Sequence, residues 1–226
     1  YKVGEDAAYL HICGNETIGG IEYHAYPDTA AVPLVADMSS HIMSRPIEWD
    51  KLDLAFAGAQ KNLGPAGLAL VIVNKALLDK CKDGLPAYLS YKTHAAKDSL
   101  YNTPPVFAIY MMKLTIDWVK SEGGLAEMEK RALARSGALY DTIDSSGGWY
   151  RCPVDKASRS RMNVCFRMPT EELEATFIAE ALEASFSGLK GHRSVGGCRA
   201  SMYNAMPLEG AEKLADFMEE FKKKNA

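Results

Sequence analysis

The sequence predicts an α/β fold, and three observations carry that prediction. Four short apolar runs, residues 9–13, 32–37, 54–57 and 68–73, are bounded by glycine, asparagine or aspartate, the pattern of buried strands. Later stretches, about 104–121, 125–143, 171–185 and from 208 onward, repeat apolar residues at helical spacing. The composition is 47% apolar and 24% charged over 226 residues, enough for one large domain or two modest ones at roughly 100–200 residues each.

Composition also narrows the function. A formal charge of −3 gives no electrostatic reason to expect nucleic acid or an anionic membrane. No apolar run approaches the ~20 residues that span a bilayer, and the first residues carry no signal-peptide pattern. The five cysteines, Cys13, Cys81, Cys152, Cys165 and Cys198, form no Cys-x-x-Cys pair. Scattered and odd in number, they fit reduced thiols in a cytoplasmic protein better than a disulfide framework or a zinc site. No His/Cys/Asp/Glu spacing suits a metal. Residues 1–6 reach a strand-like pattern at once, without an initiator methionine, so the chain is expected to begin in the middle of a fold.

The elements follow in order. The strand at 9–13 runs into Gly14-Asn15-Glu16-Thr17-Ile18-Gly19-Gly20, a loop of turn formers. Thr17 offers a hydroxyl at a strand end, where α/β sheets place ligands, or simply bonds its own turn. The strand at 32–37 stops on Asp37, which reads as a helix N-cap or as the partner of a buried cation; Ser39 and Ser40 compete for the capping role. The runs at 54–57 and 68–73 read as buried strands. A short helix capped by Asn74 follows, then a polar surface excursion over about 83–99. Thr103 and Pro104 read as N-cap and first turn of a helix reaching Ser121. That helix is apolar nearly all round and is expected to be buried, with a subunit contact as one burial partner. Its start, with Asn102 and Thr103, suits phosphate, because free N–H groups point outward there; capping alone is the other reading.

Gly123-Gly124 marks the expected domain boundary, dividing 1–122 from 123–226. The next helix, about 125–143, carries Leu125, Met128, Ala132, Leu139 and Ile143 on one face. A strand at 162–166, a helix at 171–185 with Leu173, Phe177, Ala181 and Leu182 inward, an extended or irregular stretch 191–202 and a final helix follow. Lys222, Lys223 and Lys224 complement the last helix C-terminus and read as a solvated end.

Two stretches carry chemistry. In Ala57-Gly58-Ala59-Gln60-Lys61-Asn62-Leu63-Gly64, one lysine sits among small residues between two strands. Burial lowers a lysine pKa, and the neutral amine forms Schiff bases with carbonyls. The loop alone reads first as a strand-loop-strand turn with a solvated lysine. Asp37 lies 24 residues earlier, near another strand end, so one connection between neighbouring strands brings both toward one ligand. An acid that keeps a pyridine nitrogen protonated and a lysine that carries the aldehyde are what pyridoxal phosphate chemistry requires. The second stretch is Lys190-Gly191-His192-Arg193-Ser194-Val195-Gly196-Gly197-Cys198-Arg199. Arginines among glycines suit carboxylates or phosphates held in two-point geometry, or stand exposed on an edge strand.

Taken in order, Asn15-Glu16-Thr17, Asp37-Met38-Ser39-Ser40, Ala57-Gly58-Ala59-Gln60-Lys61-Asn62, Tyr101-Asn102-Thr103-Pro104-Pro105 and Gly191-His192-Arg193-Ser194-Val195-Gly196-Gly197 resemble the phosphoserine aminotransferase family. The likeness spans nearly the whole chain. It implies the C-terminal part of a fold-type I large domain, a mostly parallel sheet with flanking helices, followed by a small α/β domain. It implies a pyridoxal 5'-phosphate enzyme, a homodimer, moving an amino group between glutamate and phosphoserine and their keto acids in serine biosynthesis. By this resemblance Lys61 is the Schiff-base lysine, Asp37 the partner of the pyridine nitrogen, Thr17 the hydroxyl near the phenolic oxygen and Gln60 a phosphate ligand. Asn102 and Thr103 reach the cofactor phosphate of the neighbouring subunit, Arg199 binds the substrate α-carboxylate, and His192 and Arg193 lie near the substrate phosphate or side-chain carboxylate. Members of the family carry well over a hundred further residues before the position of Tyr1, including a glycine-containing phosphate turn and an aromatic that stacks on the ring. An alanine–glyoxylate-type aminotransferase, a cysteine desulfurase and a catalytically silent relative are the alternatives.

Overall fold

The computed structural model describes Val3, Gly4 and residues 6–226. Of the strand-like opening run, Tyr1, Lys2 and Glu5 lie outside the described residues. In chain order the elements are β1 (Leu10–Cys13), β2 (Asn15–Glu16), β3 (Ile21–Glu22), β4 (Leu34–Asp37), β5 (Leu54–Gly58), β6 (Ala69–Val73), α1 (Lys75–Lys80), α2 (Tyr91–Ala96), α3 (Val106–Ser121), α4 (Gly124–Ser145), β7 (Asn163–Phe166), α5 (Glu171–Glu183), β8 (Cys198–Ser201) and α6 (Leu208–Asn225). They fall into two compact units. One holds the residues up to Gly14, Ala25–Ile42 and Ile47–Ser121; the other holds Asn15–His24, Met43–Pro46 and Glu122–Ala226.

The first unit is built on a four-stranded sheet in the order β1-β4-β5-β6. β4 runs parallel to β1 and to β5, and β6 closes the edge antiparallel to β5. The apolar alternation of β4 buries Leu34 and Ala36 completely, as a central strand requires. β6 departs from the expectation of burial: Val71 and Ile72 are exposed, because it is the last strand of this sheet. Asn74 caps α1, its side chain accepting from the Ala76 N–H at 2.9 Å. The polar excursion contains a short helix, α2, capped by Ser90.

The start of α3 is also displaced. The helix begins at Val106, not after Thr103, because a residue preceding proline is driven out of helical conformation and Pro104 precedes Pro105. Nor is the helix enclosed: only Ala108 and Val119 are buried, while Val106, Phe107, Tyr110 and Leu114 are exposed.

The second unit pairs β7 with β8 antiparallel and packs α4, α5 and α6 around them. Phe166, Phe177 and Phe221 meet edge to face, with centroids 5.8 Å and 5.1 Å apart, the arrangement aromatic rings prefer. The Tyr150 hydroxyl donates to the Met218 carbonyl at 2.7 Å. On α5 the inward face carries Glu174 with Phe177 and Ala181, and Leu182 points to solvent, reversing the expectation for Leu182. Lys222 is not simply solvated: its ammonium donates to the Ser146 carbonyl at the end of α4, at 2.6 Å.

The grouping of 15–24 with the later residues has a polar cause. Asn15 Nδ2 donates to Asn163 Oδ1 at 2.8 Å, and Asn163 Nδ2 to Ser201 Oγ at 3.0 Å. Buried Glu22 accepts from Arg45 Nε at 3.2 Å and from the Arg161 N–H at 2.9 Å. These two early segments, 15–24 and 43–46, group with the second unit although they precede residue 122 in the chain.

Candidate active site

In the first unit, the register Cys13↔Asp37 and Asp37↔Phe56 puts the carboxyl ends of β1, β4 and β5 on one edge of the sheet. That is the edge where open α/β sheets hold ligands. Asp37 ends β4, and Lys61 follows three residues after the end of β5. Asp37 caps no helix. Its Oδ1 accepts the Ser39 N–H at 2.8 Å, and Ser39 Oγ accepts the Gly58 N–H at 3.0 Å. Ser39 thus ties the acid's turn to the end of the neighbouring strand. Among the described residues nothing donates to Asp37 Oδ2.

Gly14 sits at the same edge, its N–H donating to the Asp37 carbonyl at 2.9 Å. A Cβ there would lie 2.4 Å from Cε1 of buried His41, so the close approach of β1 to this turn demands glycine. Half-buried Lys61 occupies a loop wound by the Leu63 and Gly64 N–H groups on the Ala59 carbonyl, at 3.1 and 2.8 Å. Beside it, buried Asn62 donates to the Ile42 carbonyl at 3.0 Å. Gly64 lies against the backbone of Met112, so α3 backs the loop. Gln60 is exposed, as are Asn102 and Thr103, where Asn102 Nδ2 donates to the Thr103 carbonyl.

In the second unit, half-buried Thr17 lies in the turn after β2 and its carbonyl accepts from Arg199 Nη1 at 3.4 Å. Arg199, on β8 opposite Cys165, has a buried Nε with no partner among the described residues. An unpaired buried N–H beside a weakly engaged Nη1 is a donor set aimed at an anion. Burial pushes the Cys165 thiol up to about 11 and the Cys198 thiol up to about 12, which makes both poor nucleophiles near neutrality. His192 and exposed Arg193 stand on the loop between α5 and β8, where His192 Nδ1 and Ser194 Oγ lie 2.7 Å apart.

Residues 2–214 match the Aminotransferase class-V family. The chain belongs to the class-V aminotransferases. It is 54% identical over 222 residues to the phosphoserine aminotransferase of Geobacillus kaustophilus, covering 98% of this chain and 61% of that protein. It is 55% identical over 225 residues to that of Laribacter hongkongensis, covering 100% and 62%. It superposes on the solved phosphoserine aminotransferase from Bacillus circulans subsp. alkalophilus with a TM-score of 0.95 at 49% identity, covering 99% of this chain and 62% of that one. The PLP-bound phosphoserine aminotransferase of Trichomonas vaginalis gives 0.91 at 40% identity, covering 97% and 62%. This class-V aminotransferase chain therefore spans about three fifths of the length of these relatives.

Sequence reasoning missed Ser39 as the link between Asp37 and β5, and Gly14 with His41 as the packing behind that acid. An Asp-x-Ser sequence at a strand end is the available signal for the first, since aspartate bonds the N–H two residues on. Among the described residues no group of three His, Cys, Asp or Glu side chains could hold a metal ion, and no helix is long and apolar enough to cross a membrane.

Proposed function

We propose that this chain serves pyridoxal 5'-phosphate-dependent transamination between glutamate/2-oxoglutarate and O-phosphoserine/3-phosphohydroxypyruvate, a step of serine biosynthesis in the cytoplasm. The observation that carries the reading is the emergence of Asp37 and Lys61 from adjacent parallel strands on one sheet edge. The residues fit the cofactor by their chemistry. Asp37 keeps one carboxylate oxygen open for a pyridinium N–H, Lys61 brings an amine, and Gly14 and the buried Ala57 and Ala59 keep that edge narrow. Residues 1–122 belong on this reading to the cofactor-binding domain and 123–226 to the small domain.

Bound pyridoxal phosphate supplies an aldehyde that captures the amino group and a ring that spreads the electron pair left at the substrate α-carbon. Asp37 holds positive charge at the ring nitrogen. Thr17 donates toward the phenolic oxygen, and Gln60 toward the phosphate. Lys61 Nζ would take the proton from the substrate α-carbon and deliver it to the aldehyde-derived carbon on the far side of the amino nitrogen, acting as base and then as acid. Arg199 receives the α-carboxylate in two-point geometry, using the Nε that has no partner among the described residues. His192 and Arg193 face the phosphate of the phosphorylated substrate. Asn102 and Thr103 reach the cofactor phosphate of a second copy. The exposed apolar face of α3 supports such a homodimer, since a patch of this kind marks an interface.

The experiment is amino transfer from O-phosphoserine to 2-oxoglutarate by the complete protein loaded with pyridoxal phosphate. Lys61→Ala is expected to lower turnover by at least about 10⁴-fold, together with loss of the lysine-bound cofactor's near-visible absorbance. Normal transamination by Lys61→Ala refutes the assignment. A panel including alanine with glyoxylate separates the phosphoserine reading from other class-V activities, and absence of any turnover selects the silent relative.

A further inference from the structure

Between β7 and α5 stands an arginine that the proposed reaction does not use. Arg167 Nε donates to Glu174 Oε1 at 2.6 Å, and the same oxygen accepts the Met168 N–H at 3.2 Å. The Glu174 side chain is only 7% exposed, so it is a fixed post whose rotamer is set by burial and by two donors. The other end of the guanidinium reaches away from it: Nη1 donates to the Val195 carbonyl at 3.1 Å. Arg167 therefore spans from a buried carboxylate on α5 to the loop that carries His192 and Arg193.

The loop is shaped to receive this side chain. Gly196 and Gly197 have φ of +70° and +69°, and a Cβ on Gly197 would lie 2.4 Å from Arg167 Cδ. Glycine is required there twice over, by conformation and by the approach of the arginine stem. The loop's own hydrogen bonds close only its base. The Val195 and Gly196 N–H groups donate to the His192 carbonyl at 3.0 and 2.8 Å, and the Gly191 N–H to the Gly197 carbonyl at 2.8 Å. Among the described residues, the Val195 carbonyl at the loop's outer part is held by Arg167 alone. A planar guanidinium can serve carboxylate and carbonyl at once; an ammonium, a point charge, cannot match that fork.

We propose that Arg167, anchored by Glu174, is a positioning residue that sets the 192–197 loop so that His192 and Arg193 meet the phosphate of the phosphorylated substrate. This rests on the activity proposed above. It makes the phosphorylated substrate's affinity depend on a side chain that does not touch it, and leaves the glutamate half-reaction independent of that side chain.

The test compares wild type with the double variant Arg167→Met/Glu174→Gln, which removes the strut without leaving a buried carboxylate unpaired, in the complete protein loaded with pyridoxal phosphate. KM for O-phosphoserine is expected to rise about tenfold, with KM for glutamate and both kcat values within about twofold. Amide hydrogen exchange at Val195 and Gly196 is expected to quicken about tenfold. Arg167→Lys keeps a charge beside Glu174 and is expected to show the same KM split; it carries the test alone if the double variant does not fold. Equal KM changes for both substrates, or unaltered exchange at Val195 and Gly196, overturn the strut. A wild type active on O-phosphoserine whose variants keep both KM values refutes the positioning role only. A wild type inert toward O-phosphoserine refutes the activity reading itself and the strut's purpose with it.

Discussion

Helices α3 and α4 follow one another in the chain and solve the problem of burial in opposite ways. α3 carries only Lys113, Asp117 and Lys120 as charges, yet it leaves Val106, Phe107, Tyr110 and Leu114 in solvent. α4 carries many more charges, among them Glu127, Glu129, Lys130, Arg131, Asp141 and Asp144, yet it buries a full stripe: Met128, Ala132, Leu139 and Ile143. The difference is partners. The stripe of α4 meets α6 and β7 within its own unit. The inner face of α3 rests on the Lys61 loop near Gly64, and its outer face meets nothing among the described residues of its unit. Apolar composition thus creates a demand for cover, while only a matching surface supplies it.

Three measurements break or sharpen that contrast, beginning with the largest effect. Leu139→Ala on α4 removes a completely buried side chain and is expected to cost about 2–5 kcal/mol in denaturant unfolding, by lost burial plus the cavity left behind. A cost under about 1 kcal/mol would mean that α4 is no better covered than α3.

The second concerns the end of α4. Asp144 takes a two-point contact from Arg159 Nη1 and Nη2, at 3.0 and 2.9 Å, and an ion pair from Lys156 at 2.7 Å. Hydrogen bonding from Arg159 outweighs partial burial, and its carboxyl is held down to about 2 from 3.8. Because the folded-state value is depressed, the stabilisation is complete above about pH 4 and disappears as pH falls toward 2. With the side chain 32% exposed, solvent screening reduces the contribution to about 1 kcal/mol. Unfolding curves for wild type and Asp144→Asn should therefore differ by that amount at pH 7 and converge near pH 2. A gap that persists at pH 2 assigns the effect to packing instead.

The smallest effect belongs to α3. Phe107→Ser alters a residue 73% exposed and is expected to change the stability of the isolated chain by no more than about 0.5 kcal/mol. The same substitution is expected to weaken self-association of the complete protein, read by sedimentation. A loss of several kcal/mol in the isolated chain would show that the face is covered there already.

Much of this was legible in residues alone. The apolar runs ending at Cys13, Asp37 and Ala57 announced three strands, and the order of Asp37 and Lys61 in the chain pointed to one sheet edge. Asn74 announced a helix start, and its side chain caps α1. Other features were not legible, each for a local reason. Pro105 moved the start of α3 beyond Thr103. On α5, Glu174 turned inward where Leu182 was expected, because Arg167 and the Met168 N–H pair with its carboxylate. The two-residue strands β2 and β3 are too short to show a period.

Sequence by itself determined the kind and order of the longer elements, and the presence of an acid and an amine at successive strand ends, because periodicity and turn chemistry act between near neighbours. Only the tertiary structure decided that, among the described residues, Ser39 engages one Asp37 oxygen and leaves the other open, that the buried Arg199 Nε finds no partner there, and that Arg167 bridges α5 to the loop of His192. Those outcomes depend on which distant groups arrive within about 3 Å of one another, and hydrogen bonds are decided at that range.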